Sequence, residues 1–160
     1  MPATNTSSQL HKIELTQEGY DETVAELEEL KAKHQPAVDR VALARSYGDL
    51  SENSEYHAAR EDLSFLVSRI DELETVLAQA KVITAKPSTS KIKIGSTATL
   101  KHKGKSITYQ VVTAWEADPQ QNKVSSESPL GKALLGKKIG DVVTVEVPAG
   151  IQEYTVLKIK

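Results

Sequence analysis

Between Tyr56 and Ala80 the apolar residues Tyr56, Ala59, Leu63, Leu66, Ile70, Leu73, Leu77 and Ala80 follow one another at steps of 3, 4, 3, 4, 3, 4 and 3, an unbroken heptad seam. Glu61, Asp62, Ser68, Arg69, Asp71 and Glu72 occupy positions between them. A helix from about Glu52 to Lys81 would be about 45 Å long at 1.5 Å per residue, too long to bury its stripe on a small neighbouring core. Such a stripe requires a second helix.

The second helix lies upstream. Thr16 is a candidate N-cap, and Glu18, Asp21 and Glu22 follow it near the positive end of the helix dipole. Tyr20, Val24, Leu27 and Leu30 begin an apolar stripe that Val38, Val41 and Ala44 resume. Pro36 removes a backbone donor and predicts a kink or local loosening. Lys31 and His34 fall near the seam and weaken it; His34 has no ligand partner nearby and is expected as a partly exposed seam residue. The short connection containing Gly48 forces the two helices antiparallel. A finger results, spanning 12–83, whose free end is the stretch Tyr47-Gly48-Asp49-Leu50-Ser51-Glu52-Asn53 at 47–53.

Asp49 and Glu52 stand three residues apart at that tip, and two readings stay open. Asp-x-x-Glu before a helix is a capping-box-like pattern in which Asp49 accepts from a backbone N–H near Glu52, with Ser51 as an alternative cap. Alternatively, two exposed carboxylates can contribute to a divalent-metal site. Mg²⁺ demands octahedral oxygen coordination, so two side chains leave the site incomplete and the missing ligands must come from another molecule. A finger of this kind would act by insertion, in a site suited to phosphoryl transfer. Glu55 either extends the acidic patch or lies on a solvated helix face. Arg45 and Arg60 either contact RNA or protein or form ion pairs, and Tyr47 either braces the turn or stacks on a base.

Charge divides the chain unevenly beneath a net −2. From His11 to Lys81 there are 8 basic and 16 acidic residues, whereas Val82 to Lys160 holds 12 lysines, 6 acidic residues and no arginine. Two modules with different surroundings are implied. Base-specific reading is disfavoured in the second, because it lacks the bidentate arginine fork. With no cysteine, disulfides, thiolate catalysis and Cys-based zinc sites are excluded. The polar leader at 1–11 is a poor signal peptide and is expected to be disordered, and no stretch approaches the ~20 apolar residues of a membrane helix. The expectation is a soluble intracellular protein without a membrane partner, acting as a monomer.

A linker is expected at 84–93, around Thr-Ala-Lys-Pro-Ser-Thr-Ser, followed by a module at 94–160. Alternation over Ser96–Lys101 and again at Ile107, Tyr109 and Val111, with Lys103-Gly104 between, predicts a hairpin. Asp118 to Asn122 reads as a turn. Ser128-Pro129 opens a short helix through Leu134 and Leu135 that Gly136 closes. Val143–Val147 and Glu153–Leu157 predict a last hairpin around Ala149-Gly150. The module is a compact α+β sheet with one short helix. His102 is expected as a surface strand residue and Ser128 as a helix cap, while Trp115 and Leu130 mark either core packing or a protein-contact surface.

The run Ala44-Arg45-Ser46-Tyr47-Gly48-Asp49-Leu50-Ser51-Glu52-Asn53-Ser54-Glu55-Tyr56-His57-Ala58-Ala59-Arg60-Glu61 resembles the hairpin tip of the GreA/GreB family of bacterial transcription elongation factors. Leu15 to Tyr20, Gly95-Ser96-Thr97, Glu116-Ala117-Asp118 and Ser128 to Lys137 resemble other family segments in the same order. The family often has Ala where this chain has Ser54, a tolerable exchange. The resemblance implies a coiled-coil hairpin followed by an FKBP-like C-terminal domain. It also implies insertion of the hairpin into the secondary channel of RNA polymerase, with the second domain docked at the channel rim through the Ser128-Pro129-Leu130 region. Asp49 and Glu52 would help hold a second Mg²⁺ shared with the polymerase and orient water, so that the polymerase cleaves the 3′ end of backtracked nascent RNA. Tyr47, Ser51, Asn53 and Arg60 would support the tip. The chain would then be an accessory, DNA-associated transcription factor of the cytoplasm with no cofactor of its own.

Three rival readings differ in what they require of the sequence. A channel-binding inhibitor on the same scaffold would carry a more heavily acidic tip. A prolyl isomerase needs an aromatic-lined pocket, yet the module's aromatics are Trp115, Tyr109 and Tyr154, and the sole Phe, Phe65, lies on the coiled coil. A coiled-coil scaffold would not require the acidic turn.

Overall fold

Two long helices, α1 (Gln17–Ser46) and α2 (Ser54–Gln79), follow a short strand β1 (Ile13–Thr16) in the computed structural model, which describes residues 12–84 and 88–160. The polar leader at 1–11 and residues 85–87 of the expected linker lie outside the described residues. Residues 20–80 form one unit; residues 12–19 together with 81–160 form the other.

In the helical unit the seam is closed by antiparallel pairing. Leu27, Ala44, Tyr56, Ala59, Leu73 and Val76 are buried, while Leu63, Leu66, Ile70 and Leu77 are half-buried, as expected when one helix faces one other helix. Thr23 and Val76 join the seam although the heptad reading did not include them. Lys31 and His34 are exposed beside it. Helix α1 runs continuously through Pro36. Ion pairs cross the helices: Arg69 meets Glu26 side-on at 2.9 and 3.1 Å, and Lys31 meets Glu74 at 2.6 Å. These side chains are about half exposed, so each pair contributes at most about 1 kcal/mol and mainly fixes register.

The hairpin boundaries differ from the expected 12–83. Residues 13–16 are not helical but form β1, which pairs with β2 (Ala80–Ile83) in a two-stranded sheet. The heptad seam runs on to Ala80 and conceals this change: at Ala80 the backbone turns extended (φ −66°, ψ 134°), and α2 stops at Gln79 instead of Lys81. Thr16 does cap α1, its hydroxyl oxygen accepting from the Gly19 N–H at 3.0 Å. The carboxylate of Glu116 accepts from Thr16 N at 2.9 Å and from Thr113 Oγ1 at 2.7 Å, tying this first turn to the segment from Thr113 to Glu116.

The expected 84–93 linker is also too long. Ile92 is buried in the sheet core, and its N–H donates to the Lys137 carbonyl oxygen at 2.9 Å. Five strands follow: β3 (Thr97–His102), β4 (Lys105–Val112), β5 (Lys123–Ser125), β6 (Val142–Val147) and β7 (Gly150–Ile159), in the order β5-β4-β3-β7-β6. The β3–β4 hairpin turns on Lys103 (φ 48°) and Gly104 (φ 80°), the paired left-handed conformations of a two-residue hairpin loop. The last hairpin turns on Pro148-Ala149, because Val147 pairs with Gly150. The sequence reading missed β5, which pairs parallel with β4 after a 3₁₀ turn at Pro119–Gln121 and Asn122 at φ 54°. Three residues are too few to display a period.

Alternation places Ala98, Leu100, Val111, Val143, Val145 and Val156 on one sheet face. Helix α3 (Pro129–Leu134) covers that face through Leu134. The unit is therefore an α+β sheet with one short helix, as its sequence implied.

Candidate functional site

The connection between α1 and α2 is built backward from α2. Asn53 is the N-cap: its Oδ1 accepts from Tyr56 N at 3.0 Å, and its Nδ2 donates to the Ala44 carbonyl oxygen at 2.8 Å. One side chain thus closes the start of α2 and satisfies a carbonyl at the end of α1. The capping-box assignment to Asp49 or Ser51 is corrected accordingly, since both lie too far upstream once α2 begins at Ser54. Asparagine is among the best N-cap residues, and its place directly before Ser54-Glu55 was the available signal.

Released from capping, Asp49 organises its own turn. Its Oδ1 accepts from the Ser51 hydroxyl at 2.8 Å and from Ser51 N at 3.1 Å. Both bonds favour the ionised form, the hydroxyl more than the backbone N–H, and hold the Asp49 carboxyl below its usual value. Glu52 is exposed and has no hydrogen-bond or ion-pair partner among the described residues. Gly48, at φ 117° and in open space, lets the chain leave α1. Tyr47 is 69 % exposed, so it does not brace the turn by burial.

The arginines divide the remaining charge. Arg40 binds Glu55 at 2.9 Å and Asp62 at 2.7 Å, which withdraws Glu55 from the tip patch. Arg45 points Nη2 at the Tyr56 hydroxyl, 3.4 Å away, and lies 5.7 Å from the ring centroid. Hydrogen bonding from Arg45, with further charge from Arg60, lowers the Tyr56 phenol pKa. Arg45 thus engages Tyr56 instead of forming the ion pair that was one of its two readings, and Arg60 stands exposed near the same phenol.

Among the described residues no group of three or more His, Asp or Glu side chains is placed to hold a metal ion. Asp49 and Glu52 offer exposed carboxylate oxygens that suit a hard divalent cation, but only as part of a ligand set. Ser128, Pro129 and Leu130 belong to the other unit. The Ser128 hydroxyl donates to the Ser125 carbonyl at 2.7 Å and accepts from Gly131 N at 3.1 Å, Pro129 is exposed, and Leu130 is half-buried against the core. No described helix is long and apolar enough to cross a membrane.

Two family models match the chain: transcription elongation factor, N-terminal, over residues 13–82, and transcription elongation factor, GreA/GreB, C-term, over residues 86–160. Transcription elongation factor GreA of Legionella pneumophila (strain Lens) is 44 % identical over 156 residues, covering 94 % of this chain and 98 % of that protein. Its namesake in Thermotoga petrophila is 42 % identical over 153 residues, with the same coverage. The crystal structure of GreA factor homolog 1 (Gfh1) protein of Thermus thermophilus shares 31 % identity, covers 93 % of this chain and 99 % of that chain, and has a TM-score of 0.44.

Proposed function

The chain belongs to the GreA/GreB family of transcription elongation factors, and from that premise we propose that it stimulates the intrinsic cleavage activity of bacterial RNA polymerase on the 3′ end of backtracked nascent RNA. One observation carries this reading: Asn53 performs the capping, so Asp49 and Glu52 stand exposed at the hairpin end without structural duties toward α2. The hairpin enters the polymerase's secondary channel and delivers these carboxylates to a catalytic centre it does not own. Asp49, its carboxyl held below the usual value by Ser51, and Glu52, without a partner among the described residues, would contribute to the coordination of a Mg²⁺ shared with the polymerase. When held there, Mg²⁺ supplies charge stabilisation to phosphoryl transfer. Remaining carboxylate lone pairs accept hydrogen bonds from water and orient it. The exposed Pro129, fixed by the Ser128 cap beside Leu130, is the proposed contact with the channel rim. The factor works in the cytoplasm as an accessory, without hydrolytic activity of its own.

The test uses reconstituted backtracked elongation complexes in Mg²⁺. The wild-type protein yields 3′ cleavage products, and Asp49→Ala or Glu52→Ala lowers the cleavage rate on the order of 100-fold while polymerase binding persists. Undiminished cleavage by the double variant would sink the mechanism. RNA incubated with the protein alone stays intact.

A further inference from the structure

Tyr47 directly follows α1, and its N–H still donates to the Ala44 carbonyl oxygen at 3.3 Å, so the backbone is held there. Its ring is not. The ring is 69 % exposed and takes no part in a hydrogen bond, ion pair or ring contact among the described residues. It lies outside the seam, whose buried residues nearest the connection are Ala44 and Tyr56. Leu43, one helical turn back, and Leu50, within the connection, are exposed as well. Along the chain these apolar groups interleave with the two tip carboxylates, Asp49 and Glu52. Tyr47 and Asp49 are two residues apart, which limits the separation of their Cα atoms to about 7 Å.

Resting on the cleavage function set out above, we propose that Tyr47 is a further substrate-binding residue of the tip, its ring stacking on an unpaired base of the extruded RNA 3′ segment. Oxygen ligands and an aromatic face side by side match the two halves of a nucleotide, an anionic phosphate that carries a divalent cation and a flat base. An apolar pocket on a protein partner would fit the ring, but it would strip water from Asp49 and Glu52 without compensation. A Mg²⁺–phosphate group supplies that compensation. Tyrosine suits the contact because its face can stack while its hydroxyl stays in water. A backtracked 3′ end is unpaired, and every base has a face to stack, so the contact discriminates base from no base instead of one base from another.

Backtracked elongation complexes whose extruded RNA carries either normal or abasic nucleotides test it. On normal RNA, Tyr47→Ala lowers the cleavage rate about tenfold, and Tyr47→Phe retains most of it because the phenylalanine ring still stacks. On abasic RNA, wild type is slowed to the rate of Tyr47→Ala, and the substitution adds nothing further. A fluorescent base, pyrrolocytosine, placed in the extruded segment is quenched by wild type and by Tyr47→Phe but not by Tyr47→Ala, a readout independent of cleavage. An equal loss on normal and abasic RNA would put the ring against the polymerase and overturn the proposal. Undiminished cleavage by Tyr47→Ala on normal RNA would overturn it too. If wild type stimulates no cleavage at all, the cleavage function falls with it; if cleavage depends on Asp49 and Glu52 but is indifferent to Tyr47→Ala, this inference alone falls.

Discussion

Asn53 Nδ2 donates to the carbonyl oxygen of Ala44 at 2.8 Å, joining the first residue before α2 to the last turn of α1. The same amide accepts from Tyr56 N through Oδ1, so one side chain bonds to both helices. Asn53→Ala removes both bonds and leaves the Ala44 carbonyl with only the 3.3 Å bond from Tyr47 N. A loss of about 1–2 kcal/mol in urea denaturation is expected, the range of an N-cap deletion. Asn53→Asp, which keeps the Oδ1 acceptor and loses the Nδ2 donor, should lose less. Equal loss in both would show that the cap contributes nothing.

Ser51 holds the Asp49 carboxyl below its usual pKa. In Ser51→Ala the hydroxyl bond, the larger of the two causes, disappears, and the Asp49 carboxyl rises toward its ordinary value in an NMR pH titration. The sign for stability follows from linkage. A folded-state pKa below the unfolded value contributes stability that is present at neutral pH and is lost as pH falls through the folded pKa. Ser51→Ala should therefore diminish that acid-side loss. Because Asp49 is wholly exposed, the titration is the more sensitive measurement. An unchanged Asp49 titration would refute the assignment.

Two glycines should respond differently to alanine. At Gly19 a Cβ would meet the side-chain carboxylate of Glu116, which can rotate away at the expense of its bonds to Thr16 and Thr113. At Gly131 a Cβ would meet the backbone carbonyl of Ser125, which the Ser128 N–H and hydroxyl both hold. Gly131→Ala is expected to cost about 3 kcal/mol and Gly19→Ala about 1–2 kcal/mol. In a double-mutant cycle, Glu116→Ala should absorb much of the Gly19→Ala cost, since the residue it clashes with is gone. Strict additivity would contradict the geometry.

The long periodic elements were legible in the sequence. An eight-position heptad from Tyr56 to Ala80 determines a helix, and a helix that long without a core determines a partner. The helical hairpin therefore follows from pattern alone, as do the β3–β4 hairpin at Lys103-Gly104 and the α3 cap at Ser128. Family resemblance across the tip was equally legible in the residues from Ala44 to Glu61.

Tertiary structure decided what pattern cannot encode. Strands β1, β2 and β5 have four, four and three residues, too short to show a period, and they exist because a neighbouring strand satisfies their backbone groups. The same limit governed the tip. The sequence reading yields two candidate caps, Asp49 and Ser51, and misses Asn53, although all three are chemically able to accept a backbone N–H. Only the folded connection, by starting α2 at Ser54 and drawing the Asn53 amide onto Ala44, assigned the cap to Asn53 and left Asp49 and Glu52 exposed. Capping competence is a property of a residue type; which residue caps is settled by where the helix begins, and that depends on the packing of its partner.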